Sequence, residues 1–219
     1  MRLQDMLPEK DERAFITGKS KSGKSTLVRQ LIGALPDNTF ILVIDSKHEW
    51  TFKRGETVGA HKVHKILVPN IHLFRSPGIY VYQSKYPHFY DPNVTRLLLG
   101  AYNRKNWTVV IHEGYHFCHG SNPLPALGQI ITMGRAKNVR LFYESQRPAN
   151  IPLIAITEAN VWILFKVQKP EDRQRVADNA GYPEMIQMID MRTAAGKHNF
   201  WIAKDDWDNA VYIKNTRVE

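Results

Sequence analysis

The stretch Gly18–Ser25, GKSKSGKS, constrains the fold of this chain more than any other part of the sequence. It fits the pattern G-x-x-x-x-G-K-[ST], in which glycines let backbone N–H groups curl around a phosphate. A short apolar strand, Ala14–Thr17, precedes it, and apolar residues at helical spacing follow it over Thr26–Ala34. A strand, a glycine-containing loop and a helix in this order predict a phosphate-binding loop.

The side chains of this loop have separate expected roles in binding ATP and Mg²⁺. Lys24 is expected to reach the β- and γ-phosphates, and the Ser25 hydroxyl is expected to bind Mg²⁺. Lys19 and Lys21 add two cations; either one of them touches the γ-phosphate, or both are simply solvated. The predicted nucleotide-binding residues are Gly18, Lys19, Ser20, Lys21, Ser22, Gly23, Lys24, Ser25 and Thr26.

Apolar runs alternate with helical patterns along the rest of the chain. Strand patterns occur at Thr39–Ile44, Ile79–Tyr82, Thr108–Ile111, Val139–Tyr143 and Val161–Phe165. Helical patterns occur at Val94–Tyr102, Ala126–Met133 and Pro170–Asn179. This alternation predicts an α/β fold with a mostly parallel sheet flanked by helices, closed by a strand pair within 198–214. We expect one domain over 1–219 with a polar arm at 1–13, and residues 51–76 show no clear period.

The composition narrows the expected setting and partner. A net charge of +9 and a pI near 9.6 fit a phosphate-rich partner, although a basic protein without a nucleic-acid role has the same charge. Cys118 is the single cysteine, which excludes an internal disulfide and favours a reducing, cytoplasmic setting. The N-terminus is too polar for a signal peptide, and no apolar run is long enough to span a membrane.

The strand Thr108–Ile111 leads into His112 and Glu113. Hydrolysis of a nucleotide needs a group opposite the γ-phosphate that orients the attacking water. Glu113 is the predicted catalytic base and is also expected to carry negative charge beside the metal. The alternative interpretation is a surface carboxylate.

His112 occupies the position at which an aspartate ordinarily holds the Mg²⁺ shell. Imidazole is a softer ligand than Mg²⁺ prefers, but a neutral ring accepts a hydrogen bond from a metal-bound water. Our hypothesis is that His112 is an outer-shell acceptor, so that Mg²⁺ binds more weakly than it would with an aspartate and activity falls at acid pH. The alternative is a residue that only packs.

The segment 133–152, MGRAKNVRLFYESQRPANIP, resembles a segment of the FtsK/HerA superfamily of DNA-pumping ATPases. That family has Gly-Arg, a strand, and then Ser/Thr-Gln-Arg-Pro, here Gly134-Arg135 and Ser145–Pro148. An IDPK-like stretch is present as Ile44–Lys47, and an acid pair opens a helix as Glu171-Asp172. The resemblance covers about residues 13–180 and implies a RecA-like P-loop NTPase fold of the ASCE type. His112 is the departure from the family.

The resemblance also implies roles for three further polar residues. Gln146 would be the sensor that detects the γ-phosphate and signals to loops that contact DNA. Arg135 would be the arginine finger that reaches a neighbouring subunit. Arg147 is the rival for that role, and a solvated Arg135 is the alternative.

A bare ATPase core without a membrane segment or a nuclease domain resembles the genome-packaging ATPases of tailless, membrane-containing icosahedral viruses. The resemblance implies a ring of five or six subunits that grips double-stranded DNA without reading its sequence. It also implies capsid vertex proteins as partners, and a location in the host cytoplasm or at the packaging vertex of the virion. The candidate DNA contacts, for which solvated surface is the alternative, are Lys53, Arg54, Lys62, Lys65, Arg104 and Lys105.

Three other functions stay open on the sequence. A cellular HerA-like translocase would usually have an N-terminal barrel, for which thirteen residues before the first strand leave no space. A small-molecule kinase would need an acceptor site and a mobile lid. A structural nucleotide-binding protein would not depend on Glu113.

Overall fold

Among the described residues, the central sheet has ten strands. The computed structural model describes residues 2–53, 55–181 and 198–214, without the side chains at 206 and 207. The strands of this sheet are β1 Arg13–Thr17, β2 Phe40–Asp45, β3 Thr57–Val58, β4 His61–Lys65, β5 Gly78–Gln83, β6 Trp107–His112, β9 Arg140–Ser145, β10 Val161–Phe165, β11 Phe200–Lys204 and β12 Asp206–Ile213. Two further strands, β7 Cys118–His119 and β8 Asn122–Pro123, form a separate hairpin.

Most of this sheet is parallel. The strand order is β12-β11-β10-β1-β9-β6-β2-β5-β4-β3. Every pairing from β10 across to β4 is parallel, and the pairings that involve β3, β11 and β12 are antiparallel. The chain turns between β11 and β12 at Asp205, which has a positive φ of 64°. The predicted mostly parallel sheet and its C-terminal strand pair are confirmed.

In the part of the chain that the structure describes, five α-helices connect and flank the strands. They are α1 Lys24–Gly33, α2 Pro92–Arg104, α3 Pro125–Met133, α4 Ile154–Thr157 and α5 Pro170–Asn179. The strands and helices that the sequence predicted begin and end within two residues of their predicted bounds. Within the described part of the chain, no helix has the length and apolar character needed to cross a bilayer.

The two faces of the sheet are buried against different helices. Ile41 and Val43 of β2 pack in one cluster with Leu31 of α1, whereas Leu42 and Ile44 pack in another with residues of α2, α3 and α5. Successive residues of a strand point to opposite faces, so a strand covered on both sides is apolar at every position. This is why the sequence shows these strands as unbroken apolar runs.

The N-terminal residues lie against the sheet. Leu3–Met6 forms a 3-10 turn whose Met6 is buried. The carbonyl oxygens of Pro8 and Glu9 accept hydrogen bonds from Nε of the buried Arg140, at 2.8 and 3.1 Å. The polar segment predicted as an arm is therefore packed at the amino ends of the strands.

The segment between β2 and β5, in which the sequence shows no clear period, contains a small hairpin. Strands β3 and β4 form it, and its turn lies on the last residue of α1. Gly59 in this turn has φ +59°, and a Cβ there would overlap the carbonyl group of Gly33. Arg54, a predicted DNA contact, lies outside the described residues.

This glycine contact predicts a loss of stability on substitution. Gly59→Ala combines a left-handed backbone, which costs roughly 1–2 kcal/mol, with overpacking that costs roughly 1–3 kcal/mol. Gly55→Ala is the matched control, because Gly55 has φ +82° and nothing within 4 Å of its added Cβ. We expect urea unfolding to show a loss of about 1–2 kcal/mol for Gly55→Ala and about twice that for Gly59→Ala. Equal losses would contradict the close contact.

Candidate functional site

The predicted phosphate-binding loop follows β1 at the carboxyl edge of the parallel strands. Lys19 N–H donates to the carbonyl of Lys166, 2.8 Å away, so the loop lies directly on the end of β10. A Cβ at Gly18 would overlap Phe165, and Gly23 has φ +102° at the position before α1. Both positions need glycine, which explains the spacing that the sequence shows.

Lys24 lies inside this loop. Its buried ammonium donates to the carbonyl of Gly18 at 2.9 Å and lies 3.4 Å from the carbonyl of Lys19. It is also 3.9 Å from Oε1 of Glu113. Burial lowers the pKa of Lys24, and the carboxylates of Glu113 and Glu144 counteract this effect. The lysine is thus held at the centre of the loop, where the phosphates of a nucleotide would lie.

Glu113 follows β6 directly and is fully buried, so it is not a surface carboxylate. Its backbone is left-handed (φ 55°, ψ 62°), a conformation that is costly for a residue with a side chain. Oε2 accepts the backbone N–H of Gln146 at 2.9 Å. Oε1 lies 3.5 Å from Nζ of Lys47 and has no hydrogen-bond partner among the described residues. One oxygen is fixed, and the other stays available beside Lys24.

His112 is the last residue of β6 and is also fully buried. Nδ1 lies 3.0 Å from Oδ1 of Asp45, and Nε2 lies 3.3 Å from Oγ of Ser25. Nε2 is also 3.5 Å from the exposed carboxylate of Glu49. Burial opposes the charged imidazolium, but the hydrogen bond to Asp45 and the nearby carboxylates outweigh it, so the pKa of His112 is raised. This shift works against the neutral ring expected from the sequence.

Two buried carboxylates, for which the sequence alone predicts no role, complete the site. Asp45 accepts the N–H groups of Trp50 at 2.9 Å and Lys47 at 3.2 Å. Burial alone would raise its pKa, but these bonds and His112 lower it. Glu144 in β9 accepts from the Ser25 hydroxyl at 3.0 Å. The sequence feature that points to both residues is an acid within or at the end of an apolar strand, because acids are rarely buried without a partner.

This donor set fits Mg²⁺. The hydroxyl of Ser25 lies next to the carboxylate of Glu144, whose Oε1 is buried without a hydrogen-bond partner in the described structure. Hard oxygen ligands of this kind are those that Mg²⁺ prefers. Ser25 and Glu144 would hold the ion directly or through water, with Glu113 nearby.

The two candidate arginine fingers lie at opposite edges of the sheet. Arg147 is at the carboxyl edge, where its Nε lies 3.2 Å from Oδ2 of Asp172. Arg135 precedes β9 at the amino edge, is 75% exposed, and lies 3.1 Å from Asp11. Arg135 therefore does not approach the loop of its own chain, and its reach to a neighbouring subunit stays a prediction.

The candidate DNA contacts also separate into two groups. Lys53, Lys62 and Lys65 line one cavity of about 550 Å³ together with Trp50 and Phe52.

Arg104 and Lys105 lie at the amino edge, at the end of α2. The guanidinium of Arg104 donates to the carbonyl of Ile71 at 2.6 Å and lies over the rings of Phe40 and Trp107. Arg104 is thus engaged in packing, which leaves the cavity as the principal basic cluster among the candidates.

Comparison with known proteins identifies similar chains among viral packaging proteins, while no family model matches. The DNA packaging ATPase P9 of Enterobacteria phage PRD1 is 32% identical over 102 residues, which is 47% of this chain and 43% of the relative. The match thus spans less than half of that relative.

Two solved structures share the fold over nearly the whole chain. The genome packaging NTPase B204 of Sulfolobus turreted icosahedral virus 2, in complex with AMPPCP, has a TM-score of 0.73 at 16% identity, over 94% of this chain and 98% of its own. B204 of Sulfolobus turreted icosahedral virus has a TM-score of 0.71 at 17% identity, over 93% of this chain and 97% of its own. The predicted P-loop NTPase fold and the resemblance to viral packaging ATPases are confirmed.

A histidine beside Glu113 gives a pH-dependent prediction. Burial, followed by the charges of His88 and Lys47, lowers the pKa of His116 to about 4. The unfolded chain, with a histidine pKa of about 6.5, takes up this proton first. Stability should therefore fall as the pH drops from about 6.5 towards 4. Because the ring is partly exposed, we expect this histidine to contribute on the order of 1–2 kcal/mol of the loss.

The measurement is urea unfolding of the wild type and His116→Phe at pH 7 and pH 4.5. The variant should lose less stability than the wild type between these values. His72→Phe, at an exposed position, is the matched control and should follow the wild type. A His116→Phe profile that also follows the wild type would contradict a buried, neutral His116.

Proposed function

We propose that this chain binds ATP and Mg²⁺ at Gly18–Ser25, hydrolyses the ATP with Glu113, and uses the energy to move double-stranded DNA into a viral capsid. The observation that carries the proposal is the position of Glu113, buried opposite Lys24 with one oxygen fixed and one oxygen free of hydrogen bonds within the described residues. The similar proteins named as DNA packaging ATPases support the viral form of this function over a cellular one.

The geometry gives each residue a task in hydrolysis. Lys24 binds the phosphates from within the loop and neutralises charge that develops on them. Glu113 uses Oε1 to accept a hydrogen bond from the attacking water, because Oε2 is already held by the N–H of Gln146. A bound Mg²⁺ supplies further neutralisation of the phosphate charge. The backbone contact from Gln146 also links the catalytic carboxylate to the residue proposed as the γ-phosphate sensor.

Replacing the carboxylate tests the catalytic role directly. Glu113→Gln is expected to lower the rate of phosphate release by about 10²-fold or more, because a general base contributes about 10²–10⁴-fold. Nucleotide affinity should remain, since the loop itself is unchanged. Lys24→Ala should lose nucleotide affinity as well, measured with a fluorescent ATP analogue. Glu158→Gln, an exposed site that removes the same charge, is the control. Full turnover by Glu113→Gln would end the proposal.

DNA binding is proposed at the lysine-lined cavity between β4, β5 and the segment that follows β2. Lys53, Lys62 and Lys65 are brought together there and would bind backbone phosphates without reading bases. The proposal includes a ring of five or six copies at the capsid vertex, in which the exposed Arg135 would face a neighbouring copy.

Removing lysine charges tests whether DNA binds at the cavity or at the amino edge of the sheet. The triple variant Lys53→Gln/Lys62→Gln/Lys65→Gln is expected to lose most of the DNA stimulation of ATPase activity while the activity without DNA persists. The slope of log K against log salt should fall by up to about 3, at about 0.9 for each phosphate contact.

The matched control removes three charges from the amino edge, as Lys10→Gln/Lys105→Gln/Lys137→Gln. DNA stimulation should survive in this variant. The opposite result would place DNA at the amino edge, and equal losses in both variants would indicate a response to net charge alone.

A further inference from the structure

Three ionisable residues form a row across three neighbouring strands. Asp45 of β2 is the register partner of His112 in β6. Ile111 of β6 is paired with Tyr143 of β9, so His112 lies beside Glu144 at the next step. Register partners point to the same face of a sheet, and all three side chains are fully buried. The row faces Ser25 in the first turn of α1, which His112 and Glu144 both contact.

The resemblance implies a metal-shell carboxylate at the end of β6, and in this row the carboxylate next to Ser25 lies instead on the neighbouring strand β9. Position 112 holds an imidazole where a carboxylate is expected, and the neighbouring strand supplies Glu144. Oε2 of Glu144 is 3.0 Å from the Ser25 hydroxyl, closer than Nε2 of His112 at 3.3 Å. Oε1 of Glu144 is buried and has no hydrogen-bond partner within the described chain.

We propose that Glu144 takes over the task of the carboxylate missing at position 112, orienting the Ser25 hydroxyl and carrying the negative charge of the Mg²⁺ shell. This inference rests on the proposed nucleotide site. Glu144 would thereby select for the metal-bound nucleotide, whereas the sequence predicts the acceptor and the negative charge of the Mg²⁺ shell at His112 and Glu113.

The same row explains why a histidine suits position 112. An aspartate there would lie between Asp45 and Glu144, so that adjacent strands about 4.8 Å apart would carry three carboxylates at one level. Like charges this close disfavour one another in a buried site. The imidazole instead separates the two acids, because Nδ1 contacts Asp45 and Nε2 faces Ser25. A histidine at position 112 therefore suits a sheet that has a carboxylate at position 144.

Other acids near the loop do not match this role. Glu49 lies 3.5 Å from His112, but its side chain is 57% exposed. Glu113 has Oε2 held by the N–H of Gln146, and its Oε1 faces Lys24 and Lys47. Of the described acids, Glu144 is the one with a hydrogen bond to Ser25, and its unpartnered oxygen would be costly to bury without a ligand or cation.

The test measures metal binding separately from turnover. Mn²⁺ affinity is measured by electron paramagnetic resonance in the presence of ADP, and affinity for fluorescent ADP is measured with and without Mg²⁺. Glu144→Gln is expected to weaken Mn²⁺ binding by about 10- to 100-fold, the range for groups that position metal ligands. Affinity for metal-free nucleotide should change less than about twofold, because a glutamine preserves the packing.

Two further variants separate the proposed role from a structural one. His112→Asp/Glu144→Gln returns a carboxylate to β6 and should recover at least a tenfold share of the lost Mn²⁺ affinity. Glu144→Asp keeps the charge but withdraws it from Ser25, and should fall between the wild type and Glu144→Gln. Should Glu144→Gln not fold, the double variant and Glu144→Asp provide the comparison.

Several outcomes would overturn the inference. These are unchanged Mn²⁺ affinity in Glu144→Gln, equal losses of metal-free and metal-bound nucleotide affinity, or a larger loss of Mn²⁺ affinity in Glu49→Gln. A wild type that binds neither ATP nor Mn²⁺ with ADP would instead remove the proposed function itself, and this inference with it. A wild type that binds both, with Glu144→Gln indistinguishable from it, removes only the role of Glu144.

Discussion

The hydrogen-bonded register between β1, β9, β6 and β2 determines which side chains meet beside the phosphate-binding loop. Asp45 pairs with His112 in this register, and Ile16 pairs with Glu144. A slip of one residue in any pairing would turn a side chain of this row to the opposite face of the sheet. The apolar layers on both faces oppose such a slip, because residues such as Val43 and Ile44 have separate clusters to fill. Packing of the core therefore sets the geometry of the charged site.

The site concentrates buried charge at one edge of an apolar sheet. Lys24, Asp45, His112, Glu113 and Glu144 are each at most 4% exposed. Removing charged groups from water is expensive, and a buried ion cluster is weak evidence for stability. The pKa values of Lys24, Asp45, His112 and Glu144 are shifted, and such groups gathered next to a loop of glycines are instead typical of a functional site. The left-handed backbone of Glu113 adds strain at the same place. The fold tolerates these costs because α1 and the strands around them supply an extensive apolar core.

Local patterns made most of the fold predictable. Apolar runs located six of the parallel strands, all except β4, within two residues, and the spacing of Gly18, Gly23 and Lys24 located the loop. Glu113 was predictable because it follows an apolar strand.

Contacts between distant segments were not predictable in this way. Glu144 and Asp45 lie within or at the end of strands, and only the strand order shows that both flank His112. The sequence does not reveal the hairpin of β3 and β4, because β3 has two residues and β4 has a single apolar residue among its five.

The order of the strands explains how a carboxylate can change position without loss of its partner hydroxyl. Strand β9 lies between β1, which leads into the loop, and β6, which ends in His112. A side chain at this level of β9 is consequently as close to the first turn of α1 as a side chain at the end of β6. The proposed metal shell would require a carboxylate at hydrogen-bond distance from the Ser25 hydroxyl, and two strands of the fold, β6 and β9, place a side chain at about this distance. A search for an acid after the β6 strand would find Glu113 and overlook Glu144, because the second acid is defined by distance in space and not by spacing in the sequence.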